Sequence, residues 1–463
     1  MTIHAQVFRE YDIRGVVGEN FDSGLVEAVG RAYAADLVAV LDGERADDTR
    51  PRVVVGRDNR PTGPELGDAL MKGLQAGGLD VLDLGVVPTP VVWWAESTLE
   101  VDGALQLTGS HNPVGWNGIK MTRLGRSLHG PQIQGLRVRI MEGELPERAT
   151  GRRREAPVLD RYVDDLSQRF QLDRSVRMAV DCGNGTGSVV APRLLEAIGV
   201  EVFPLYCESD GTFPNHHPDP TVDANLVDLQ ALVRESGAEL GVAFDGDADR
   251  LGAVDGAGGI VRGDILLLLL GLDLLERAGP DQLLLYDVKC SQVVPEVFEA
   301  AGGRSLMWKT GHSLMKEKMR ETGAPIAGEL SGHICFGGEE YLGIDDALYA
   351  ACRLAEMLSR QERPLHELVG EFPRYESTPE IRLEVEEAEK ALLMEEAVAH
   401  FSGEHDVIDV DGVRILFGDG WGLIRASNTQ AVIVTRFEAQ TRERLEKIQG
   451  EVEGWLRSKG VDV

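Results

Sequence analysis

One order of elements occurs three times in this 463-residue chain, and it limits the folds open to it more than anything else in the sequence. In the first copy Pro51–Asp58 reads as a β-branched strand entering a polar loop. Glu65–Ala76 reads as a helix ended by Gly77 and Gly78, and Leu79–Leu84 as a second strand. A small, apolar strand, Gly103–Leu107, then runs into Thr108-Gly-Ser-His-Asn-Pro113. The second copy is a strand at Arg177–Asp181, a helix at Ala191–Ile198 stopped by Gly199, and a strand at Val200–Phe203. It ends with a strand at Ala238–Phe244 that enters Asp245-Gly-Asp-Ala-Asp-Arg250. In the third, Gln282–Tyr286, Pro295–Ala301, Arg304–Trp308 and Gly323–Ala327 lead to Gly328-Glu-Leu-Ser-Gly-His333. Three strand-helix-strand units, each delivering a polar loop after a later strand, predict three related α/β domains with mixed sheets. Ligands in such sheets bind at loops beyond the carboxyl ends of strands, so one site shared by the three loops is expected.

After Pro373 the texture changes. Strands are expected at Ile381–Val385, Val413–Phe417, Gly422–Ala426 and Ala431–Phe437, and helices at Glu386–His400 and Thr441–Lys459. This is a fourth, α+β domain carrying Arg425-Ala-Ser-Asn-Thr429 and then Arg436. The expected boundaries are 1–152, 153–255, 256–370 and 371–463, with a cleft shared by all four parts. Ile265–Leu272 is the longest apolar run, far short of the roughly 20 residues of a membrane span. It reads as a buried helix broken by Asp273 and Glu276. Phe8–Gly15 reads as a surface arm.

A net charge of -30 argues against nucleic acid and anionic membranes as partners. It also means that an anionic substrate needs local arginine and lysine to overcome the overall field. Cys182, Cys207, Cys290, Cys335 and Cys352 form no C-x-x-C pair, which fits a reducing cytoplasm better than a disulfide framework or a zinc site. Met1–Ala5 has no basic stretch leading into an apolar one, so no signal peptide is expected.

The three loops differ in chemistry. Ser110 stands where a strand ends and a turn begins, so its hydroxyl is expected to face a cleft. Asp245, Asp247 and Asp249 alternate with Gly246 and Ala248; alternation in an extended loop turns three carboxylates the same way, and the small spacers let the backbone curl. Such a set repels itself without a cation, and hard oxygen donors select Mg²⁺ or Ca²⁺. An EF-hand needs Gly and Glu where Arg250 and Gly256 stand, and so is rejected. An aspartyl phosphatase centred on Asp245 is disfavoured by Asp249, which stands where that family has Thr or Val. Gly183-Asn-Gly-Thr-Gly187 has the wrong spacing for a dinucleotide loop. A serine hydroxyl, three metal-binding carboxylates and scattered cations together describe phosphoryl transfer through an enzyme-bound phosphate.

The motifs T-G-S-H-N-P, D-G-D-A-D-R and G-E-L-S-G-H, in that order, with F-R-E-Y-D-I-R-G and R-A-S-N-T, resemble the α-D-phosphohexomutases of the bacterial phosphomannomutase/phosphoglucomutase branch. The likeness spans the whole chain. It implies a mutase that interconverts hexose 1- and 6-phosphates through a phosphoserine at Ser110 and a 1,6-bisphosphosugar. The implied cofactors are Mg²⁺, on Ser110, Asp245, Asp247 and Asp249, and a hexose 1,6-bisphosphate that primes the enzyme. Arg14, Lys120, His111 and His312 are implied in catalysis. Tyr11, Arg250, Lys289, Glu329, Ser331, His333, Arg425, Ser427, Asn428, Thr429 and Arg436 are implied in holding substrate. The base for the sugar hydroxyl is left between His312 and a perturbed Lys120. Gln430-Ala431 departs from the small residue and Pro that relatives carry there. Leu330, where glucosamine-phosphate branches carry Gln, leans towards mannose and glucose. The alternatives are a phosphoglucosamine mutase or a silent phosphosugar-binding protein of the same fold. The implied partner is a small phosphosugar, and the implied protein a cytoplasmic monomer or homodimer.

Overall fold

The computed structural model describes residues 3–41, 50–386, 388–427 and 431–463. Three of its four sheets share a four-stranded core. In the first, the order is Trp116–Arg123, Gly103–Leu107, Arg52–Arg57, Asp80–Val86. In the second it is Leu251–Asp255, Leu240–Phe244, Arg177–Asp181, Glu201–Leu205. In the third it is Ile334–Phe336, Ile326–Gly328, Leu283–Asp287, Arg304–Trp308. Each time three strands are parallel and the first-named is antiparallel to its neighbour. The turn into that antiparallel strand is the polar loop. Ser110, the three aspartates and Glu329–His333 therefore occupy the same place in three copies of one topology.

Fully buried strands explain why the units read as apolar runs rather than as alternation: Gly103–Leu107 and Leu240–Phe244 are buried at every residue. A single core joins residues from the first three sheets, running from Trp93 and Trp94 through Tyr162 and Leu266–Leu270 to the helix Ala347–Ser359. The fourth part has its own core, built on Phe401, Phe437 and Leu456. It docks through Arg414, which is fully buried, donates to the Val288 and Cys290 carbonyls at 2.8 Å, and lies 3.7 Å from the Trp421 ring centre.

Two expectations are corrected. Phe8–Gly15 is not a surface arm: Ile13–Val16 is a strand paired antiparallel to Trp116–Arg123, with Phe8 and Ile13 buried. Nor does the helix over Ile265–Leu272 break at Asp273; it runs Gly263–Ala278. Asp273 is buried there without penalty because Arg277, at 2.8 Å, and Arg360 both pair with it. Among the described residues no helix is long and apolar enough to cross a membrane.

Asp346 caps the helix Ala347–Ser359, accepting from Tyr349 N at 2.9 Å and from the Tyr162 and Tyr341 hydroxyls at 2.8 and 3.0 Å. Burial outweighs these donors and raises its pKa to about 6. The folded state thus binds this proton more tightly than the unfolded chain. The stability it contributes is present below the unfolded carboxyl pKa of about 4 and is lost as pH rises through 6, on the order of 3 kcal/mol in all. In denaturant melts from pH 4 to 7, Asp346→Asn should therefore gain on the parent by about that amount. A constant gap between the two would contradict it.

Candidate active site

The serine loop is held open by a buried ion pair. Arg60, 1% exposed, pairs with Asp58 at 3.0 Å. Its guanidinium donates to the carbonyls of Ser110 at 2.8 Å, of Asn112 and Pro113 at 2.6 Å, and of Trp116 at 3.1 Å. Asp58 in turn accepts from Thr108 Oγ1 and Gly109 N, both at 2.9 Å. The backbone so fixed puts Ser110 at φ +49°, a conformation that favours glycine and that a serine adopts where its surroundings impose it.

The carboxylate loop packs directly against this turn, since a Cβ on Gly246 would lie 2.4 Å from the Ser110 carbonyl oxygen. The loop is a tight turn, with Ala248 at φ +58° and Ala248 N on Asp245 O at 3.1 Å, not the extended segment expected. Its three carboxylates converge by curling rather than by alternation. All three are fully buried, and they can bring one oxygen each within 4.8 Å of one another. Ser110 Oγ donates to Asp245 Oδ2 at 2.8 Å and lies 3.0 Å from His111 Nδ1.

Lys120, on the strand Trp116–Arg123, reaches in to Asp247 Oδ2 at 2.7 Å and also pairs with Asp249. Thr89 Oγ1 donates to Asp247 Oδ2 at 2.5 Å. Burial and the neighbouring carboxylates raise the pKa of Asp245 and Asp249. Asp247 is also buried, yet Lys120 and Thr89 hold its pKa low. Burial works against the Lys120 ammonium, but the three carboxylates outweigh it and raise its pKa. One ammonium over three carboxylates leaves Asp247 Oδ1 and Asp249 Oδ1 buried without hydrogen bonds. Oxygen-only donors with unsatisfied charge fit a hard divalent cation.

Asp249, His333 and Asp345 form a second converging group. His333 Nε2, however, accepts a hydrogen bond from Arg250 Nε at 3.0 Å. The proton of the neutral ring is then on Nδ1, making that atom a donor rather than a metal ligand.

On the third loop, Glu329 accepts from Gly311 N at 2.6 Å and from Ser331 Oγ at 3.0 Å, and burial raises its pKa. His312 Nδ1 faces Asp345 at 3.2 Å, and Lys316 pairs with the other Asp345 oxygen at 2.8 Å. Lys289 pairs with Glu380 at 2.7 Å, and its charge holds the Glu380 pKa down at about 2. From the fourth sheet, Arg425 pairs with Asp411 at 2.9 Å, and Arg436 donates to the Lys289 carbonyl. The Tyr11 hydroxyl donates to the Thr310 carbonyl at 2.8 Å.

One cleft of about 1070 Å³ collects these groups. Its lining includes Tyr11, Arg14, Ser110, His111, Lys120, Arg250, Lys289, His312, Glu329, Ser331, His333, Arg425, Ser427 and Arg436, while the three aspartates lie beneath its floor. Arg9, Arg262 and Arg382 add to its cations, so a chain of charge -30 still presents a basic surface where an anion would enter. Asn428 and Thr429 lie outside the described residues. Sequence reasoning missed Asp58, Arg60, Thr89, Lys316 and Asp345. Asp58 was within reach, because an aspartate recurs where the first strand of each unit ends: Asp58 just past its strand, Asp181 and Asp287 as the last residues of theirs.

A hydroxyl on a carboxylate cluster, walled by cations from four domains, defines a phosphoryl-transfer enzyme for small anionic substrates. Four family models match in order: "Phosphoglucomutase/phosphomannomutase, alpha/beta/alpha" domain I over residues 5–146, domain II over 160–258 and domain III over 262–375, and the C-terminal domain over 380–454. The chain is 46% identical to the phosphomannomutase/phosphoglucomutase of Pseudomonas putida, covering 96% of this chain and 94% of that one. It is 40% identical to the phosphoglucomutase of Neisseria gonorrhoeae, covering 99% and 98%. The crystal structure of a phosphoglucomutase/phosphomannomutase family protein from Burkholderia thailandensis superposes with a TM-score of 0.91 at 42% identity, covering 99% of this chain and 98% of that one. The chain belongs to the phosphoglucomutase/phosphomannomutase family and is a hexose-phosphate mutase.

Arg60→Met should leave the Asp58 charge buried and unpaired, at a cost of about 3–5 kcal/mol. The first unfolding transition should move to lower denaturant, and amide protection across residues 108–116 should fall. Unchanged protection there would mean that the serine loop is held by something else.

Proposed function

We propose that Ser110 carries the phosphoryl group, and that the chain interconverts the 1- and 6-phosphates of mannose or glucose through a 1,6-bisphosphosugar. One contact carries the reading: Ser110 Oγ lies 2.8 Å from Asp245, in a turn that aims it into the cationic cleft. The phosphoryl group passes from Ser110 Oγ to the free hydroxyl of a hexose monophosphate, and the hydroxyl proton leaves to a base. The bisphosphosugar turns over, its other phosphoryl group returns to Ser110, and the isomeric monophosphate departs.

Asp245, Asp247 and Asp249 would hold Mg²⁺ together with the phosphoserine, and the ion would draw charge from the phosphoryl oxygens. Lys120, Arg14 and Arg250 oppose the remaining negative charge, and His111 and His333 line the reacting end. Glu329 and Ser331 take sugar hydroxyls. Arg425 and Ser427, with Asn428 and Thr429 of the same sequence motif, hold the phosphate that is not reacting, helped by Lys289, Tyr11 and Arg436. Such donors recognise phosphate without reading which end of the sugar bears it. His312 is the proton carrier, because its ring lines the cleft with Nδ1 3.2 Å from the buried Asp345 carboxylate, while Lys120 is engaged with Asp247 and Asp249. Hexose 1,6-bisphosphate re-primes any Ser110 that has lost its phosphate. Every residue invoked comes from one chain, and five free cysteines fit a cytoplasmic setting.

Ser110→Ala should lower turnover by about a thousandfold or more while leaving the unfolding transitions in place. The Ser110 peptide of the active enzyme should carry about 80 Da of added mass, the mark of one phosphoryl group. Wild-type rates in the variant would reject the assignment. Chelation should abolish activity and Mg²⁺ restore it, with Asp247→Asn needing far more Mg²⁺ to do so. Full activity in excess chelator would remove the metal from the scheme.

A further inference from the structure

The glycine-rich turn Gly183–Gly187 takes no part in the cleft, yet it supports the carboxylate loop. Thr186 N and Oγ1 donate to the Gly246 carbonyl at 2.9 and 3.2 Å. Gly185 sits so close that a Cβ there would lie 2.7 Å from the same oxygen. The Asn184 carbonyl accepts from Asn59 Nδ2 at 2.7 Å, one residue before Arg60. The turn thus touches both the loop that carries the three aspartates and the segment that holds the serine loop.

Cys182 immediately precedes this turn and is fully buried. Its Sγ lies 3.3 Å from Cys207 Sγ, and Cys207 is half-buried. The segment around Cys207 is tied to the same turn. Asn184 N donates to Tyr206 O at 2.9 Å, Asn184 Nδ2 to Glu208 O at 2.8 Å, and Asp210 N to Asn184 O at 3.0 Å. Asn184 and Tyr206 both stand at positive φ, +59° and +48°, so the two crossing segments have little slack. Cys290, Cys335 and Cys352 are buried.

We propose that Cys182 and Cys207 form a reversible oxidation site, whose disulfide displaces the Gly183–Gly187 turn and with it the carboxylate loop, slowing the mutase. The oxidant is hydrogen peroxide. The more exposed thiol, Cys207, attacks one peroxide oxygen as its thiolate, becoming a sulfenic acid and releasing water once the departing hydroxide takes up a proton. Cys182 sulfur then attacks Cys207 sulfur and the S–OH bond breaks, its oxygen leaving as a second water with the Cys182 proton. Two thiols are oxidised by two electrons and one peroxide is reduced. A disulfide bond is about 2.0 Å long, so the sulfurs must approach by somewhat more than an ångström. Shifts of that size at a reacting centre cost up to about a hundredfold in rate.

The test treats the full-length enzyme with hydrogen peroxide, alkylates remaining thiols, and maps peptides alongside mutase assays. The expected result is a Cys182–Cys207 cross-linked peptide about 2 Da lighter than its parts, with activity down about tenfold or more and restored by dithiothreitol. Cys207→Ser should keep its basal rate and resist the peroxide. Cys182→Ala is the second variant should the first fold poorly. A map without the cross-link overturns the proposal. So does a cross-link that leaves the rate unchanged, or an equal loss of activity in both variants. Because the cross-link is read by mass, this result is independent of whether Ser110 carries the phosphate.

Discussion

Three carboxylates share one buried turn, and much of the molecule is arranged around the charge that this creates. Like charges at this spacing in a dry site cannot all ionise without a cation, which is why burial and mutual repulsion raise Asp245 and Asp249 while Lys120 rescues Asp247. Lys120 is available only because the antiparallel strand of the first domain runs its side chain into the second domain's loop. The serine hydroxyl reaches the same turn from the other side, through a backbone pinned by Arg60. A phosphate on that hydroxyl would add roughly two more negative charges, and the site's unmet demand for a divalent cation would rise further.

The repeated topology explains how such a site is assembled. Each of the three α/β units offers the same turn, between its last parallel strand and the antiparallel strand, and a common core locks the units so that the turns converge. In the function proposed for the chain, labour divides along the same lines: one unit supplies the acceptor hydroxyl, one the carboxylates for a metal, one the polar groups for sugar. The fourth domain has a core of its own and meets the rest through a small apolar cluster of Val288, Trp421 and Leu423 and through Arg414, Glu380 and Asp411, which reach Val288, Lys289 and Thr310. Its Arg382, Arg425 and Arg436 line the same cleft as the serine turn.

The three units were legible in the sequence because their central strands are buried on both faces, as Gly103–Leu107 and Leu240–Phe244 show, and because their helices stop at glycines, as at Gly77. The three active loops were legible because chemistry is concentrated in short runs. Phe8–Gly15 was misread because a strand completed by pairing with residues a hundred positions away carries no local mark. Asp273 was misread for a related reason: whether a buried acid breaks a helix depends on Arg360, which only the fold brings near. The carboxylate turn was expected to be extended, with Gly246 and Ala248 small enough to let it curl; the curl is there, but it is a tight turn with Ala248 at positive φ, a geometry that composition does not fix. Arg60 gave no signal as a single residue, since its role is to satisfy carbonyls that become neighbours only on folding.

The central claim is that the Ser110 oxygen, set on a cation-demanding carboxylate turn, is where the phosphoryl group rests between its two positions on the sugar. Rapid-quench single turnover tests it most directly, starting from enzyme whose Ser110 phosphate carries an isotopic label and adding unlabelled hexose monophosphate. The label should leave the serine peptide and appear first in the bisphosphosugar, then in the monophosphate. Label that stays on the protein while product forms, or that leaves only as inorganic phosphate, would contradict the account.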